Sequence, residues 1–163
     1  PAEKDQYVQM DSIPIGVWQS SLGNDSHYLD VGYTPQYPFG YGLTYTNFDY
    51  HHISISNDSI GFNENVIIKA SISNTGTSDG TETVQLYIQD LVGSITRPIK
   101  ELKGFELLHL KKGETKEVEF KISSEDLKYV NHELILAAEE GHFNVWIGPN
   151  SASGLKKKFY LKK

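Results

Sequence analysis

Acidic residues that stand close together are the first side chains of this chain that could do chemistry. They occur as three pairs: Glu117 with Glu119, Glu125 with Asp126, and Glu139 with Glu140. Hydrolysis of a glycosidic bond needs two carboxylates that face each other across the bond, and one of them needs a raised pKa. The three pairs instead fit the outward side of a strand, the first turn of a short helix, and a turn before a glycine. We therefore expect no catalytic residue among them.

The other reactive side chains predict neither a metal site nor a cofactor site. The chain has six histidines and no cysteine, which excludes disulfides, thiolate ligands and a cysteine nucleophile. His51 and His52 are adjacent, so on a strand they point to opposite sides, and no His-x-His spacing occurs. Gly40-x-Gly42 lacks the third glycine and the helix of a dinucleotide-binding loop. We expect no cofactor, and a metal site built from residues distant in sequence stays open as an alternative.

Aromatic residues are concentrated between residues 33 and 50. The cluster comprises Tyr33, Tyr37, Phe39, Tyr41, Tyr45, Phe48 and Tyr50. So much apolar area, at about 25 cal/mol per Å² buried, should be packed against a neighbouring surface. Gly40 and Gly42 allow backbone conformations or close approaches that other residues do not. We expect Tyr37, Phe39, Tyr41 and Tyr45 to lie at an interdomain interface; stacking on a sugar ring is the alternative.

Two residues further along the chain are candidates for the same interface. Trp146 is out of phase with the apolar residues of its predicted strand, so we expect it on the outer face of a sheet, covered by the tail at residues 1–44. Arg97 precedes Pro98, which fixes a bend. Its guanidinium is expected to pair with a carboxylate of its own domain or of a neighbouring one, or else to be solvated in a local turn.

The elements that must position these residues are β-strands. From about residue 45 apolar side chains alternate with polar ones, and turn sequences such as Asn74–Gly80 separate the runs. The residues expected to face inward include Val66, Ile68, Ala70, Ile72, Val84, Leu86, Ile88, Leu108, Leu110, Val118, Phe120, Ile122, Phe143, Val145 and Ile147. Outward Lys, Glu, Gln and Thr should stay in water. After Pro98, Lys100 and Glu101 are expected to point outward, alternating in a strand with Ile99 and Leu102. The pattern predicts an all-β sandwich of about seven strands.

Length and composition set the domain organisation. The chain has 163 residues, 38% of them apolar, and a net charge of −6. Residues 1–44 show no period, so we expect an irregular tail or linker there and a sandwich at 45–163. The negative charge argues against a nucleic-acid partner. The chain has no apolar run of about 18 residues, so the sequence predicts no membrane-spanning helix. The first residues do not form a signal peptide, and the missing initiator Met suggests a processed or excised piece.

Several segments together resemble a known protein family. They are Tyr28–Asp30, Tyr37–Tyr45 (YPFGYGLTY), Asn74–Gly76, Glu82–Asp90, Arg97–Phe105 (RPIKELKGF), Lys111–Thr115 and Gly141–Gly148. Over residues 28–163 the chain resembles the C-terminal region of a family 3 glycoside hydrolase of the β-glucosidase type. In that family a linker leads from the catalytic domains into a fibronectin type III-like domain.

The resemblance implies an immunoglobulin-like or fibronectin type III-like sandwich with an accessory, non-catalytic role. It implies a retaining parent enzyme that releases terminal β-linked glucose or xylose, needs no cofactor, and is periplasmic or secreted. The catalytic residues would lie in other domains of the same polypeptide, which this domain would dock on and stabilise. Two alternatives stay open: a carbohydrate-binding module, and an adhesive sandwich or homodimer that pairs through an open edge strand.

Overall fold

The computed structural model of this protein describes residues 35–163. The chain divides after Tyr37, and the unit Pro38–Lys163 holds the strands. In chain order these are β1 (Phe48–Ile55), β2 (Ser59–Gly61), β3 (Asn65–Asn74), β4 (Gly80–Asp90), β5 (Glu101–Leu110), β6 (Thr115–Ser123), a 3-10 turn (Ser124–Leu127), β7 (Tyr129–Val130), β8 (Leu136–Ala137), β9 (Gly141–Gly148) and β10 (Leu155–Lys162). Seven of these ten strands have eight or more residues, which confirms the predicted number. The boundary at residue 45 stays a prediction.

Two sheets form the predicted all-β sandwich. One has three strands in the order β1-β3-β6, and the other has five in the order β2-β10-β9-β4-β5. Neighbouring strands are antiparallel except β2 and β10, which run parallel. The strands β7 and β8 form a separate small hairpin. No helix within residues 35–163 has the length and apolar character needed to cross a membrane.

The core lies between the inner faces of the two sheets, as the alternation predicts. Val66, Ile68, Ala70 and Ile72 are fully buried. The predicted inward residues of β4, β5, β6 and β9 join them in one cluster, in which Phe120 is partly buried. Two rings from neighbouring strands, Phe143 and Phe159, stack with centroids 5.4 Å apart. Alternating side chains of the two sheets therefore build one continuous core.

One buried amide holds the end of the sandwich together. Asn74, at the end of β3, is 1% exposed. Its Oδ1 accepts hydrogen bonds from Thr46 Oγ1 at 2.7 Å and from the Gly76 N–H at 3.1 Å. Its Nδ2 donates to the Ser78 carbonyl at 2.8 Å and to the Leu110 carbonyl at 3.1 Å. A single side chain thus connects β3, the following turn, the end of β5 and the residues before β1.

Two outer strands lose their regular pairing partway along. In β1 the register with β3 shifts between His51 and Ser54, and His52 has a φ of 58°. In β5 the partners of adjacent β4 residues are Gly104 and Leu102, so Lys103 is an extra residue. A β-bulge of this kind bends the strand and changes which way the following side chains point.

The predicted alternation after Pro98 is wrong. The strand β5 begins only at Glu101, so Ile99 belongs to the preceding loop and is exposed. Lys100 folds back over the protein surface, and the extra residue in β5 turns Leu102 to the outer face of the sheet. Proline lacks the N–H that a regular strand would use, which favours a loop here.

Candidate interdomain surface

The segment of residues 38–47, called the arm below, lies against the outer face of the five-stranded sheet. Gln85 Nε2 donates to the Gly40 carbonyl at 3.0 Å and to the Pro149 carbonyl at 2.7 Å. Because the arm covers this part of β4, Gln85 and Tyr87 are both buried. The prediction that outward Gln side chains stay in water is therefore wrong at Gln85.

A second set of contacts fixes the start of the arm. The Phe39 carbonyl accepts a hydrogen bond from the Ser151 N–H at 2.9 Å and from the Tyr87 hydroxyl at 3.4 Å. The same hydroxyl is hydrogen-bonded to Gln85 Oε1. The Phe39 ring meets the Tyr87 ring edge-on, with centroids 6.5 Å apart. The arm is therefore attached by backbone polar groups and by one aromatic contact.

Gly40 is required for this contact. It has a φ of +80°, in the left-handed region, and a Cβ added to it would lie 2.0 Å from Gln85 Oε1 and 2.6 Å from the Tyr87 hydroxyl. Both the backbone conformation and the close approach favour glycine. Gly42, by contrast, faces open space. The two glycines that the sequence singled out therefore differ in role.

The apolar side chains of the arm remain accessible to solvent. Phe39, Tyr41, Leu43 and Tyr45 are exposed, as is Tyr37, and Tyr45 has no measurable burial. A groove of about 640 Å³ runs between the arm and β4 and β5. Phe39, Tyr41 and Leu43 line it together with Phe105 of β5. Together with exposed Tyr45 and Leu107, these side chains form one apolar surface. It is called the arm surface below and consists of Phe39, Tyr41, Leu43, Tyr45, Phe105 and Leu107.

Leu43, Phe105 and Leu107 were missed as site residues. Leu43 belongs to the aromatic segment but is not aromatic. Phe105 and Leu107 stand out of phase with inward Leu108 and Leu110, which is the signal that could have found them. Their β4 neighbours opposite, Gln85 and Thr83, confirm that they lie on the outer face.

Trp146 lies on the outer face of the same sheet but does not line the groove. It pairs with Tyr87 on one side and with Lys156 on the other. The Nζ atoms of Lys100 and Lys156 lie 4.5 Å and 5.0 Å from the centre of its ring. Burial, with a smaller contribution from Lys156, lowers the pKa of Lys100. Two lysines therefore cover the half-buried Trp146, while the predicted cover, the tail at 1–44, falls mostly outside the described residues.

Arg97 makes its contacts inside the sandwich domain. Its Nη2 lies 2.8 Å from Glu101 Oε2, and its guanidinium carbon lies 4.1 Å from the centre of the Tyr129 ring. The side chain is 13% exposed. Of the alternatives drawn from the sequence, pairing with a carboxylate of the same domain is the one observed. Neither Arg97 nor Trp146 lines the groove beside the arm.

Glu82 and Tyr50 form a partly buried pair beneath the groove. The Tyr50 hydroxyl donates to Glu82 Oε1 at 2.7 Å. Burial raises the pKa of Glu82, and the hydrogen bond from Tyr50 opposes this rise. Burial also raises the pKa of Tyr50, with Glu82 adding to the effect. No second carboxylate faces Glu82 among the residues that line the groove, so this pair lacks the two-carboxylate arrangement of a glycosidase.

The raised pKa of Glu82 predicts a pH dependence of stability. Between pH 4.5, the ordinary pKa of this side chain, and its raised pKa in the folded chain, the folded chain keeps a proton that the unfolded chain has released. The free energy of unfolding should therefore fall as the pH rises through this window. In Glu82→Gln, the amide oxygen can still accept the hydrogen bond from Tyr50. The free energy of unfolding, measured with urea at pH 4 and pH 7, should fall less between these pH values in this variant than in the unsubstituted chain. The control is Glu106→Gln, at an exposed position of β5. An equal change of the free energy of unfolding with pH in the unsubstituted chain and in both variants would contradict the prediction.

The three acidic pairs make contacts inside the sandwich domain. Glu117 and Glu119 both lie near Lys69, with oxygens 3.1 Å and 3.0 Å from its Nζ. Asp126 accepts hydrogen bonds from the N–H and Oγ of Ser123, as expected for the cap of a short turn. Glu139 and Glu140 bind Ser94 and Tyr160, respectively. Within the described part of the chain, no three His, Asp or Glu side chains are grouped so as to hold a metal ion.

Comparison with known proteins gives the chain a family. Residues 82–151 match the fibronectin type III-like domain. A protein of Formosa agariphila named putative beta-xylosidase is 41% identical over 93% of this chain and 20% of its own length. The periplasmic beta-glucosidase of Salmonella typhimurium is 42% identical over 83% of the chain and 18% of its own length. The chain thus spans about a fifth of the curated relatives it matches.

A solved structure supports the same assignment. The crystal structure of beta-glucosidase from Listeria innocua in complex with glucose aligns with 91% of this chain and 21% of that one. The TM-score is 0.79 at 34% sequence identity. Sequence and overall fold therefore agree. The chain belongs to the fibronectin type III-like domains that form the C-terminal region of family 3 β-glucosidases and β-xylosidases.

Proposed function

We propose that this chain is a non-catalytic accessory domain that docks on the catalytic domains of its own polypeptide and stabilises them. The parent enzyme would be a retaining glycosidase that hydrolyses terminal β-linked glucose or xylose in the periplasm or outside the cell. The observation that supports this most is the arm surface. Its apolar side chains are exposed although the backbone beneath them is fixed by Gln85 and Tyr87. A fixed, exposed apolar surface is suited to a permanent partner.

The position of the arm surface favours a partner in the same polypeptide. The arm leads directly from the N-terminal part of the chain into β1, and the relatives continue far beyond the region that matches. A neighbouring domain attached through this segment is held at a high effective concentration, so a moderate apolar contact suffices for docking. Export is supported by the Salmonella typhimurium relative that is named periplasmic.

A sugar-binding role has less support. Such modules use exposed aromatic rings on which sugar rings stack. On the outer sheet face Tyr87 is buried beneath the arm, and Lys100 and Lys156 lie against Trp146. The exposed rings of the arm, Phe39, Tyr41 and Tyr45, stand on an irregular segment rather than in a row along a strand.

The test compares the present chain with the complete product of its gene. The pure chain should release no nitrophenol from nitrophenyl β-glucoside or β-xyloside, whereas the complete polypeptide should hydrolyse one of them. The double variant Leu43→Ser/Tyr45→Ser removes two exposed side chains of the arm surface. It should leave the unfolding of the present chain unchanged and lower the melting temperature of the complete enzyme.

Two outcomes would overturn the proposal. The first is turnover by the pure chain, with a rate proportional to its concentration. The second is an unchanged melting temperature of the complete enzyme carrying the double variant. Saturable binding of an oligosaccharide to the chain in calorimetry, lost in the double variant, would support the sugar-binding alternative instead.

A further inference from the structure

A second apolar surface lies at the end of the sandwich where β4 ends and β9 begins. It consists of eight exposed aliphatic side chains from the β4–β5 loop and the β7–β8 hairpin: Leu91, Val92, Ile95, Ile99, Val130, Leu134, Ile135 and Leu136. We call it the tip surface; it shares no residue with the arm surface. Monomeric proteins seldom expose large contiguous apolar patches, and such patches mark sites of interaction.

The loop and the hairpin that carry the tip surface are joined to each other. The Ser94 N–H donates to the Tyr129 hydroxyl at 3.0 Å and to Glu139 Oε2 at 2.9 Å, and the Ser94 hydroxyl donates to Glu139 Oε1 at 2.6 Å. The guanidinium of Arg97 stacks over the Tyr129 ring. The surface is therefore preformed, which lowers the entropic cost of binding a partner.

Leu134 occupies the most unusual position on this surface. Its φ is 62°, a left-handed conformation that glycine adopts easily and leucine does not. Its N–H donates to the Asn131 carbonyl, and Asn131 Oδ1 accepts from the N–H groups of Glu133 and Ile135, so the turn holds this conformation. The side chain is 85% exposed, so burial inside the domain does not offset the strain. The turn thus holds an apolar side chain in a fixed, exposed position, which suits a contact outside the domain.

Charge disfavours a second copy of the chain as the partner. Glu133 lies in the turn of the hairpin, and Glu139 and Glu140 follow the hairpin. Of the basic side chains beside the surface, Arg97 is paired with Glu101 and Lys128 with Glu125, and His132 Nε2 lies 3.9 Å from Glu133 Oε1. Two copies that met through this surface would bring carboxylates together, which costs binding energy. The complementary partner is an apolar surface with a basic rim.

The rest of the polypeptide is the partner that fits best. The curated relatives match this chain over only 20% and 18% of their lengths, so most of each relative lies outside the matched region. We propose that the tip surface is a second docking site for the catalytic domains of the same polypeptide, and that Leu134 inserts into an apolar, basic-rimmed pocket on them. This proposal rests on the proposed function. It adds a second contact, at the end of the sandwich where β4 ends, through residues that are not part of the arm surface.

Leu134→Gly tests the proposal because its two expected effects have opposite signs. In the present chain the substitution relieves the strain at φ 62° and should raise the melting temperature by about 2 °C. In the complete gene product it removes the inserted side chain and should lower the melting temperature of the enzyme. Scanning calorimetry of both proteins, with residual glycosidase activity after heating, measures the two shifts.

Val130→Ser is the matched second variant. Val130 lies on the same surface, in β7, and is half exposed without a positive φ. It should lower the melting temperature of the complete enzyme and leave that of the present chain nearly unchanged. Together the two variants separate the loss of an apolar contact from the relief of backbone strain.

Three results with Leu134→Gly would overturn the proposal. If Leu134→Gly raises both melting temperatures alike, the tip surface has no partner. If it lowers that of the present chain, Leu134 stabilises the isolated domain and its conformation is not a source of strain. If it disperses a dimer in sedimentation, the partner is a second copy. Failure of the proposed function is distinguishable, because the complete polypeptide would then lack glycosidase activity or would not respond to the arm-surface variant.

Discussion

Replacing Asn74 with alanine should lower the free energy of unfolding by about 3 kcal/mol, since several buried polar groups then lose their partner. The hydroxyl of Thr46 and the Gly76 N–H lose their acceptor, and the carbonyls of Ser78 and Leu110 lose their donor. Asn74 is almost fully buried, so water cannot replace it without a rearrangement. Urea unfolding followed by circular dichroism measures the change.

The control is Asn65→Ala, at the exposed start of the same strand, which should change stability by less than about 0.5 kcal/mol. A cycle with Thr46→Val isolates the bond between Thr46 Oγ1 and Asn74 Oδ1. The two substitutions should be non-additive, because the second removes a partner that the first has already lost. Additive effects, or a loss at Asn74 as small as at Asn65, would show that this amide does not hold the end of the sandwich.

Gly40→Ala should detach the arm from the sheet at a cost of about 2 kcal/mol, from backbone strain at positive φ and from displacement of a buried amide. The new Cβ would overlap Gln85 Oε1 and the Tyr87 hydroxyl. Gln85 would then lose its bonds to Gly40 and Pro149. Chymotrypsin should cut the variant faster within the arm, at Tyr41 and Tyr45, because a detached segment fits a protease more easily.

Gly42→Ala is the matched control, two residues away in the same segment. An added Cβ there meets open space, so neither stability nor the rate of cleavage should change appreciably. If the two alanine variants behaved alike, the arm would not depend on close contact at Gly40. In the complete enzyme Gly40→Ala should also weaken docking, because the arm surface would no longer have a fixed shape.

The side chains that face the core could be predicted from the sequence, whereas the contacts on the outer faces of the sheets could not. Alternation places Val84, Leu86 and Ile88 in the core because every second side chain of a strand faces the same way. The same rule places Gln85 outward correctly but says nothing about what covers that face. Its burial depends on the arm, whose contacts are irregular and follow no period.

The candidate sites show the same division. The aromatic cluster predicted an interface segment, and Gly40 was identified as a position of special backbone geometry. Arg97 could not be assigned from sequence because its partners, Glu101 and Tyr129, come from β5 and from a hairpin whose position no local pattern specifies. The tip surface was missed, although the uncharged run Leu134–Ala138 directly after a turn was a signal that could have found it.

The irregular outer strands have a consequence for behaviour at high concentration. Long strands with exposed edges can recruit identical chains and grow into cross-β fibrils. In this domain the register of β1 shifts after His51, and β5 is interrupted at Lys103. Of the other two outer strands, β2 has three residues, and β6 carries charges such as Glu119 and Lys121. A second chain would find few matching hydrogen bonds along β1, β2 or β5, and along β6 it would meet a row of charged side chains, so growth of a fibril by edge pairing is disfavoured.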